Sequence, residues 1–142
     1  FWDYYVDKPL HLPNEAIDGN MNTYAQTDET QMASGPWFNL KFARNAYISN
    51  IVIKNRQDAN REALRDITVT VKDSTGAVIL QSPLLNPENA LQGPAELSLP
   101  LTYPITGVQV NVSRAPDSDK SAGSDVATLS LAEVQVMGCM AP

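Results

Sequence analysis

The feature that most constrains the fold is a two-residue alternation of β-branched side chains that recurs along the chain. The segment "DITVTVKD" alternates at Ile67, Val69 and Val71, and the same pattern recurs in "GVQVNVS", "LSLAEVQVMG" and "AYISNIVIKN". A period of two places alternate side chains on one face, which is typical of strands with one buried side. We therefore predict an all-β fold, an antiparallel β-sandwich of the jelly-roll type.

Turn residues divide these strands into a plausible order. Gly76 in "VKDSTGAVI" suits a hairpin turn, because glycine adopts positive φ without strain. The proline- and glycine-rich "SPLLNPENALQGPAE" predicts a long connection, and a single helical turn is expected around Ala63–Arg65. No internal linker or repeat interrupts the pattern, so residues 1–142 are expected to form one domain.

The composition excludes several classes of partner. The net charge of −6 disfavours nucleic acid and anionic membrane surfaces, since both select clustered Lys and Arg. No apolar run approaches the ~20 residues of a membrane-spanning helix. Cys139 is the single cysteine, which excludes an internal disulfide and a zinc site built from cysteine pairs. The opening "FWDYYVDKP" begins like an interior segment, so we expect a module cut from a larger multi-domain chain.

Four segments in order carry a family resemblance: "AIDGN", "GPWFNLKF", "ISNIVIKNRQDANREALRDITVTVKDSTG" and "LSLAEVQVMG". Together they resemble the discoidin, or coagulation factor type C, domain, nearest to its bacterial carbohydrate-binding modules and F-type (fucose) lectins. The resemblance runs from about Asp7 to Gly138. It implies a discoidin-like sandwich, an extracellular or secreted setting, and a glycan or polysaccharide as ligand.

The polar stretch "NEAIDGNMNTYAQTDE" is a candidate cation-binding loop. Asp18, Gly19 and Asn20 offer a carboxylate, a flexible pivot and a carbonyl, which suits Ca²⁺, although the residues alone leave a solvated turn equally open. The resemblance implies a structural Ca²⁺ between this loop and the last strand. The implied ligands are Asp18, Asn20, a carbonyl of Asn14 or Glu15, an oxygen of Thr27 or Asp28, the Ala132 carbonyl and Glu133. A metal would explain why Glu133 interrupts an apolar strand, where an unpaired buried carboxylate is costly; the alternative is a Glu facing solvent.

The resemblance also implies where a sugar would bind. F-type lectins read fucose with a His and two Arg, because planar, charged N–H groups suit vicinal hydroxyls. Here Arg56 and Asp58 match part of that motif, whereas Ala63 stands at the second Arg position and Gln31 at or beside the His position. Ala59 and Asn60 replace the family's adjacent cysteines. Standard fucose recognition is therefore not expected. The candidate ligand-binding residues are Arg56, Asp58, Gln31, Arg61, Glu62 and Arg114.

Bland alternatives exist for several of these residues. Arg56 could instead form a strand-end ion pair with Asp58 or Glu62, and Arg61 and Glu62 could be solvated surface groups. Trp37 is expected to fill the core, with a sugar-stacking role as the alternative. His11 is the only histidine, and no nucleophile or paired-carboxylate motif accompanies it, so we do not expect an enzyme.

The predicted function is that of a calcium-stabilised carbohydrate-binding module or lectin-like domain, with the glycan held at the loop rim of the sandwich. Two alternatives remain at this point. One is a discoidin-type protein-interaction or adhesion domain, and the other is a structural spacer without a ligand.

Overall fold

The computed structural model describes residues 16–20, 22–26, 36–57, 61–115 and 129–140. The strands are β1 Ala25–Gln26, β2 Trp37–Lys54, β3 Ile67–Lys72, β4 Val78–Gln81, β5 Glu96–Arg114, β6 Ser130–Leu131 and β7 Glu133–Met140. Short 3₁₀ turns lie at Arg61–Ala63 and Pro87–Asn89. Within the described ranges no helix is long and apolar enough to cross a lipid bilayer.

The strands pair antiparallel throughout. One five-stranded sheet has the order β4-β3-β5-β2-β7, and β1 pairs with β6 in a two-stranded sheet. The predicted all-β, antiparallel sandwich is confirmed. The hairpin between β3 and β4 also forms as expected, with Gly76 at a φ of 85°. The predicted helical turn is present as 3₁₀ structure and begins two residues earlier, at Arg61.

Strand β2 is long because it serves two parts of the sandwich. Its first part pairs with the end of β5, beyond which lie β3 and β4, whereas its second part lies between the start of β5 and β7. Register shifts separate Lys41 from Ala46 and Ile48 from Asn50. Such irregularities bend a strand and increase its twist. Ile48 and Ile51 are three residues apart and would face opposite sides of a regular strand, yet both are buried. The register shift between them explains this.

The core forms from the inward side chains of both parts. Its largest fully buried members are Ile48, Ile51, Ile53, Leu64, Ile67, Leu129, Leu131, Val69, Val71, Val110 and Val112. Burying one such side chain contributes about 1.5–3 kcal/mol, so this cluster is the main source of stability.

The expectation that Trp37 fills the core is wrong. Trp37 is 37% exposed, and its neighbour Phe38 is buried instead. Strand alternation gives the reason, because Phe38, Leu40 and Phe42 all contribute to the core and therefore turn Trp37 to the opposite face.

Gly138 marks the point where β7 comes closest to β2. It pairs with Ile48 at a φ of 153°, and a Cβ built on it would lie 1.8 Å from the Tyr47 carbonyl oxygen. We expect Gly138→Ala to destabilise the domain by about 4 kcal/mol or more, since two backbones would have to separate. Urea unfolding followed by tryptophan fluorescence measures this cost.

Gly76→Ala is the matched control for that experiment. Gly76 also has positive φ, but nothing lies within 4 Å of a Cβ built there, so only the backbone conformation is penalised. Its expected cost is about 1–2 kcal/mol. Equal costs for the two variants would contradict the close approach of β7 to β2.

Candidate functional site

Several chain segments meet at one end of the sandwich, which we call the rim. The rim comprises residues 16–20, 22–26, 55–57 and 61–66, the connection 82–95 and the end of β5. The Arg114 backbone N–H donates to the Pro36 carbonyl, and its guanidinium Nη1 donates to the Ala63 carbonyl at 3.4 Å. These bonds bring both ends of bent β2 to the same place, because Pro36 precedes the strand and Ala63 lies in the loop that follows it.

We call residues 16–20 and 22–24, which precede β1, the early loop. Asp18 and Glu133 lie together where this loop meets the start of β7. The Gly19 N–H donates to Glu133 Oε1 at 2.7 Å, and this bond joins residues 114 positions apart in the sequence. The Asn20 N–H donates to Asp18 Oδ1 at 2.9 Å, and the Thr23 hydroxyl donates to Asp18 Oδ2 at 2.6 Å. The loop is therefore folded around the Asp18 carboxylate.

The two carboxyl groups respond differently to this arrangement. The Thr23 hydroxyl, followed by the Asn20 N–H, lowers the pKa of Asp18 below its usual value. Burial raises the pKa of Glu133, the Gly19 N–H lowers it, and the nearby Asp18 carboxylate raises it further, so that the net shift is upward. Two carboxylates facing each other in a partly buried place repel, and a bound cation would relieve that repulsion.

The donor set suits a hard cation. Asp18 and Glu133 supply carboxylate oxygens, which Ca²⁺ prefers as ligands. The Asn20 carbonyl lies in the same loop as Asp18, where it accepts from the Thr23 N–H and hydroxyl, and Ala132 directly precedes Glu133 in the sequence. In the described part of the chain, no three His, Cys, Asp or Glu side chains cluster. Further ligands would therefore be backbone carbonyls or side chains outside the described residues. Three predicted ligands, Glu15, Thr27 and Asp28, lie outside the described residues.

Arg56 lies at the rim against an aromatic ring. Its guanidinium carbon is 3.7 Å from the centroid of the Tyr24 ring, a cation–π contact, and the residue is largely buried. Tyr24 directly precedes β1, so this contact attaches the early loop to the end of β2. Sequence reasoning missed Tyr24; the available signal was an aromatic residue within an otherwise polar loop.

Asn55 holds the 3₁₀ turn that carries Arg61. Its amide Nδ2 donates to the carbonyls of Arg61 and Pro94, at 2.7 and 2.8 Å, and its Oδ1 accepts from the Arg56 N–H. The Asn55 side chain is buried, although its bonds to Arg61 and Pro94 are partly open to water. It thus ties the turn at Arg61 to the connection 82–95.

Arg61 and Arg114 differ in accessibility. Arg61 is exposed on its 3₁₀ turn, and the backbone below it is held by Asn55 and packed closely against Gly93. Arg114 is buried, with its side chain directed at the same turn. The structure therefore brings Arg56, Arg61 and Arg114 to one rim. Gln31 and Asp58 lie outside the described residues, as does the side chain of Glu62.

The chain can now be placed among known proteins. The model of the F5/F8 type C family, described as a NedA-like, galactose-binding domain, matches residues 15–112. The chain belongs to this family. No curated protein matches the chain.

Solved structures of the same fold include sugar-binding domains. A fucose-binding module of Streptococcus pneumoniae, SpX-3, is 24% identical with a TM-score of 0.72, covering 89% of this chain and 85% of that one. The lectin domain of lectinolysin, complexed with Lewis B antigen, is 20% identical with a TM-score of 0.73, covering 90% and 84%. The family 32 carbohydrate-binding module of C. perfringens NanJ, in complex with galactose, is 16% identical with a TM-score of 0.69, covering 91% and 86%.

The family assignment confirms the resemblance inferred from the four sequence segments. It also confirms that the domain is not an enzyme, because this family and its structural neighbours are non-catalytic carbohydrate-binding modules and lectins. At these identities the neighbours establish the fold alone.

We expect Asn55→Ala to loosen the rim. The change leaves two partly buried carbonyls, those of Arg61 and Pro94, without their donor, which costs about 1–3 kcal/mol. Thermal unfolding measures the loss. Asn50→Ala is the control, because Asn50 accepts only a long 3.4 Å bond from the Ser98 hydroxyl near the surface. Its expected cost is below about 0.5 kcal/mol; equal losses would show that Asn55 does not secure the rim.

Proposed function

We propose that this domain is a glycan-binding module whose rim holds a sugar of the fucose or galactose type. The observation that carries the proposal is the match to a galactose-binding family over residues 15–112. The named neighbours that bind fucose, Lewis B antigen or galactose support the same ligand class. Glycans of this kind are found outside cells, so an extracellular or cell-surface setting follows from the ligand.

At the rim, Arg61 is the residue best placed to contact a sugar. It is exposed, it carries several N–H donors, and its backbone is fixed by Asn55. Arg56 contributes from a more buried position on Tyr24, where an edge of the guanidinium would reach a bound ligand. Gln31, Asp58 and Glu62 remain candidates on sequence grounds. The buried Arg114 holds the Arg61–Ala63 turn through its bond to the Ala63 carbonyl.

A glycan array in calcium buffer tests this proposal, with fucosylated and galactosylated oligosaccharides as probes. A charge-assisted hydrogen bond is worth about 1.5–3 kcal/mol, so Arg61→Ala should weaken binding about tenfold or more. Arg56→Ala should weaken it at least as much, since it also removes the Tyr24 contact.

Arg44→Gln is the control, because Arg44 is exposed where β2 bends, away from the rim. Binding that survives both rim substitutions would exclude the rim as the site. No binding by the wild-type domain would instead favour a protein-interaction domain or a structural spacer.

We propose further that a structural Ca²⁺ links the early loop to β7. Asp18 and Glu133 would hold it with their carboxylates, and Asn20 and Ala132 with their carbonyls. The facing carboxylates, with the pKa of Glu133 raised, support this assignment. When bound, the cation neutralises both charges; the chain's own residues keep the loop folded through the bonds to Asp18 and Glu133.

Calcium should therefore raise the melting temperature. At about 100 times its Kd, a ligand specific for the folded state adds about 2.7 kcal/mol. For a domain of this size that corresponds to a rise of roughly 5–15 °C. Differential scanning calorimetry with Ca²⁺ and with chelator measures it, and both Asp18→Asn and Glu133→Gln should abolish the difference.

Asp73→Asn serves as the control for the calcium experiment. Asp73 is an exposed carboxylate that accepts bonds from Thr75 and Ala77 within the β3–β4 turn, far from Glu133 in the fold. Its substitution should leave the calcium-dependent rise unchanged. A wild-type domain that melts at the same temperature with calcium and with chelator would refute the site.

A further inference from the structure

A grid of mostly polar side chains lies on the outer face of the five-stranded sheet, and it extends from Ser113, at the rim end of β5, away from the rim. Strand registers place Trp37 beside Ser113 and Thr68, Asn39 beside Asn111 and Thr70, and Lys41 beside Gln109 and Lys72. These nine residues, three each from β2, β5 and β3, define the open sheet face. Their alternate neighbours, such as Phe38, Val69 and Val112, point into the core.

The charge of this face is opposite to that of the whole chain. The chain has 16 acidic residues and a net charge of −6, yet none of the nine positions is Asp or Glu. Lys41 and Lys72 occupy two strands that flank Gln109, and at the ~4.8 Å spacing of neighbouring strands their backbones lie about 10 Å apart. Two ammonium groups therefore stand at one end of this set of nine residues, none of which carries a carboxylate.

The middle of the face presents amides in a fixed arrangement. Asn39 Oδ1 accepts bonds from Gln109 Nε2 at 2.9 Å and from Asn111 Nδ2 at 3.0 Å. The Asn39 amide nitrogen and the amide oxygens of Gln109 and Asn111 take no part in these bonds. They provide a donor and two acceptors, which are the groups that recognise sugar hydroxyls.

Trp37 lies at the other end of the grid. It is 37% exposed, because the alternation that buries Phe38 turns Trp37 to the opposite face. An exposed indole offers a broad apolar surface on which the face of a sugar ring can pack. From Trp37 to Lys41 the face thus combines an apolar platform, fixed amides and positive charge.

We propose that the open sheet face is a second carbohydrate-binding surface, which takes an acidic polysaccharide with Lys41 and Lys72 on its carboxylates and Trp37 under a sugar ring. Charge complementarity selects this occupant over a neutral one. Exposed ion pairs are screened by salt, so binding is expected to weaken as ionic strength rises. This surface goes beyond the rim function and does not depend on the rim arginines.

Isothermal titration with polygalacturonate, compared with neutral galactan, tests the proposal. The wild-type domain should bind polygalacturonate, and Lys41→Gln/Lys72→Gln should weaken that binding about tenfold or more. Trp37→Ala should weaken it at least threefold. Thermal unfolding checks that each variant is folded, which is expected because these side chains lie outside the core.

The matched control removes the same amount of charge elsewhere. Arg44→Gln/Lys54→Gln also lowers the net charge by two, at exposed or half-exposed positions outside the grid. It should bind polygalacturonate like the wild type. Equal weakening in both double variants would reduce the effect to overall charge and overturn the proposal.

The rim and the face can fail independently. Loss of polygalacturonate binding in Arg61→Ala, with the face variants unaffected, would move the acidic ligand to the rim and overturn the second surface. Absence of wild-type binding to polygalacturonate would also overturn it. Neither result bears on fucosylated or galactosylated probes, which report on the rim alone.

Discussion

The antiparallel pairing of β2 with β5 is the constraint on which the rest of the structure depends. Each of these strands is long enough to serve both parts of the sandwich, and the register shifts in β2 let it bend between them. The bend is what brings Pro36, before the strand, and Asn55, after it, to one rim. Without it, Arg114 could not donate to Ala63 while Asn55 donates to Arg61 in the same short turn.

The same pairing decides which side chains reach solvent. A shift of one residue in a strand exchanges its two faces, so the burial of Phe38 requires the exposure of Trp37. Core packing therefore determines which positions lie on the outer face, but it does not determine which residue types occupy them. Core packing demands neither the lysines nor the amide cluster, so these residues can be substituted with little cost to the fold, as a test of the proposed second surface requires.

Most of the fold was predictable because alternation is a local signal. Ile67, Val69 and Val71 identify β3 without any knowledge of its partners, and Gly76 identifies the turn after it. The face occupied by Trp37 was mispredicted, because Trp37 and Phe38 are adjacent apolar residues and the start of "PWFNLKF" does not show which of them faces the core. The register shift between Ile48 and Asn50 was also unpredictable, because it depends on the pairing of β2 with Gly138 and Met137 in β7, which is distant in the sequence.

The candidate site was predictable only where a single residue conflicted with its strand. Glu133 stood out as a carboxylate at the start of an apolar strand, and it does accept a bond from the early loop. Tyr24 and Asn55 did not stand out, because their partners are a guanidinium 32 residues away and two backbone carbonyls. Every residue has a backbone carbonyl, so a bond to a carbonyl places no requirement on the type of the partner residue and cannot be inferred from the sequence.

Two binding surfaces on one rigid domain would act together on a long chain. A polysaccharide held at the rim raises the effective concentration of its other residues near the sheet face, so modest contacts at each place give a much stronger joint attachment. The two surfaces also use different physics. At the rim, Asp18 and Glu133 lie together and the proposed cation would neutralise them, whereas the nine positions of the face include no carboxylate and leave the two lysines available to a ligand. Such a division would allow an acidic domain, which as a whole repels polyanions, to retain an acidic glycan on a part of its surface that carries positive charge.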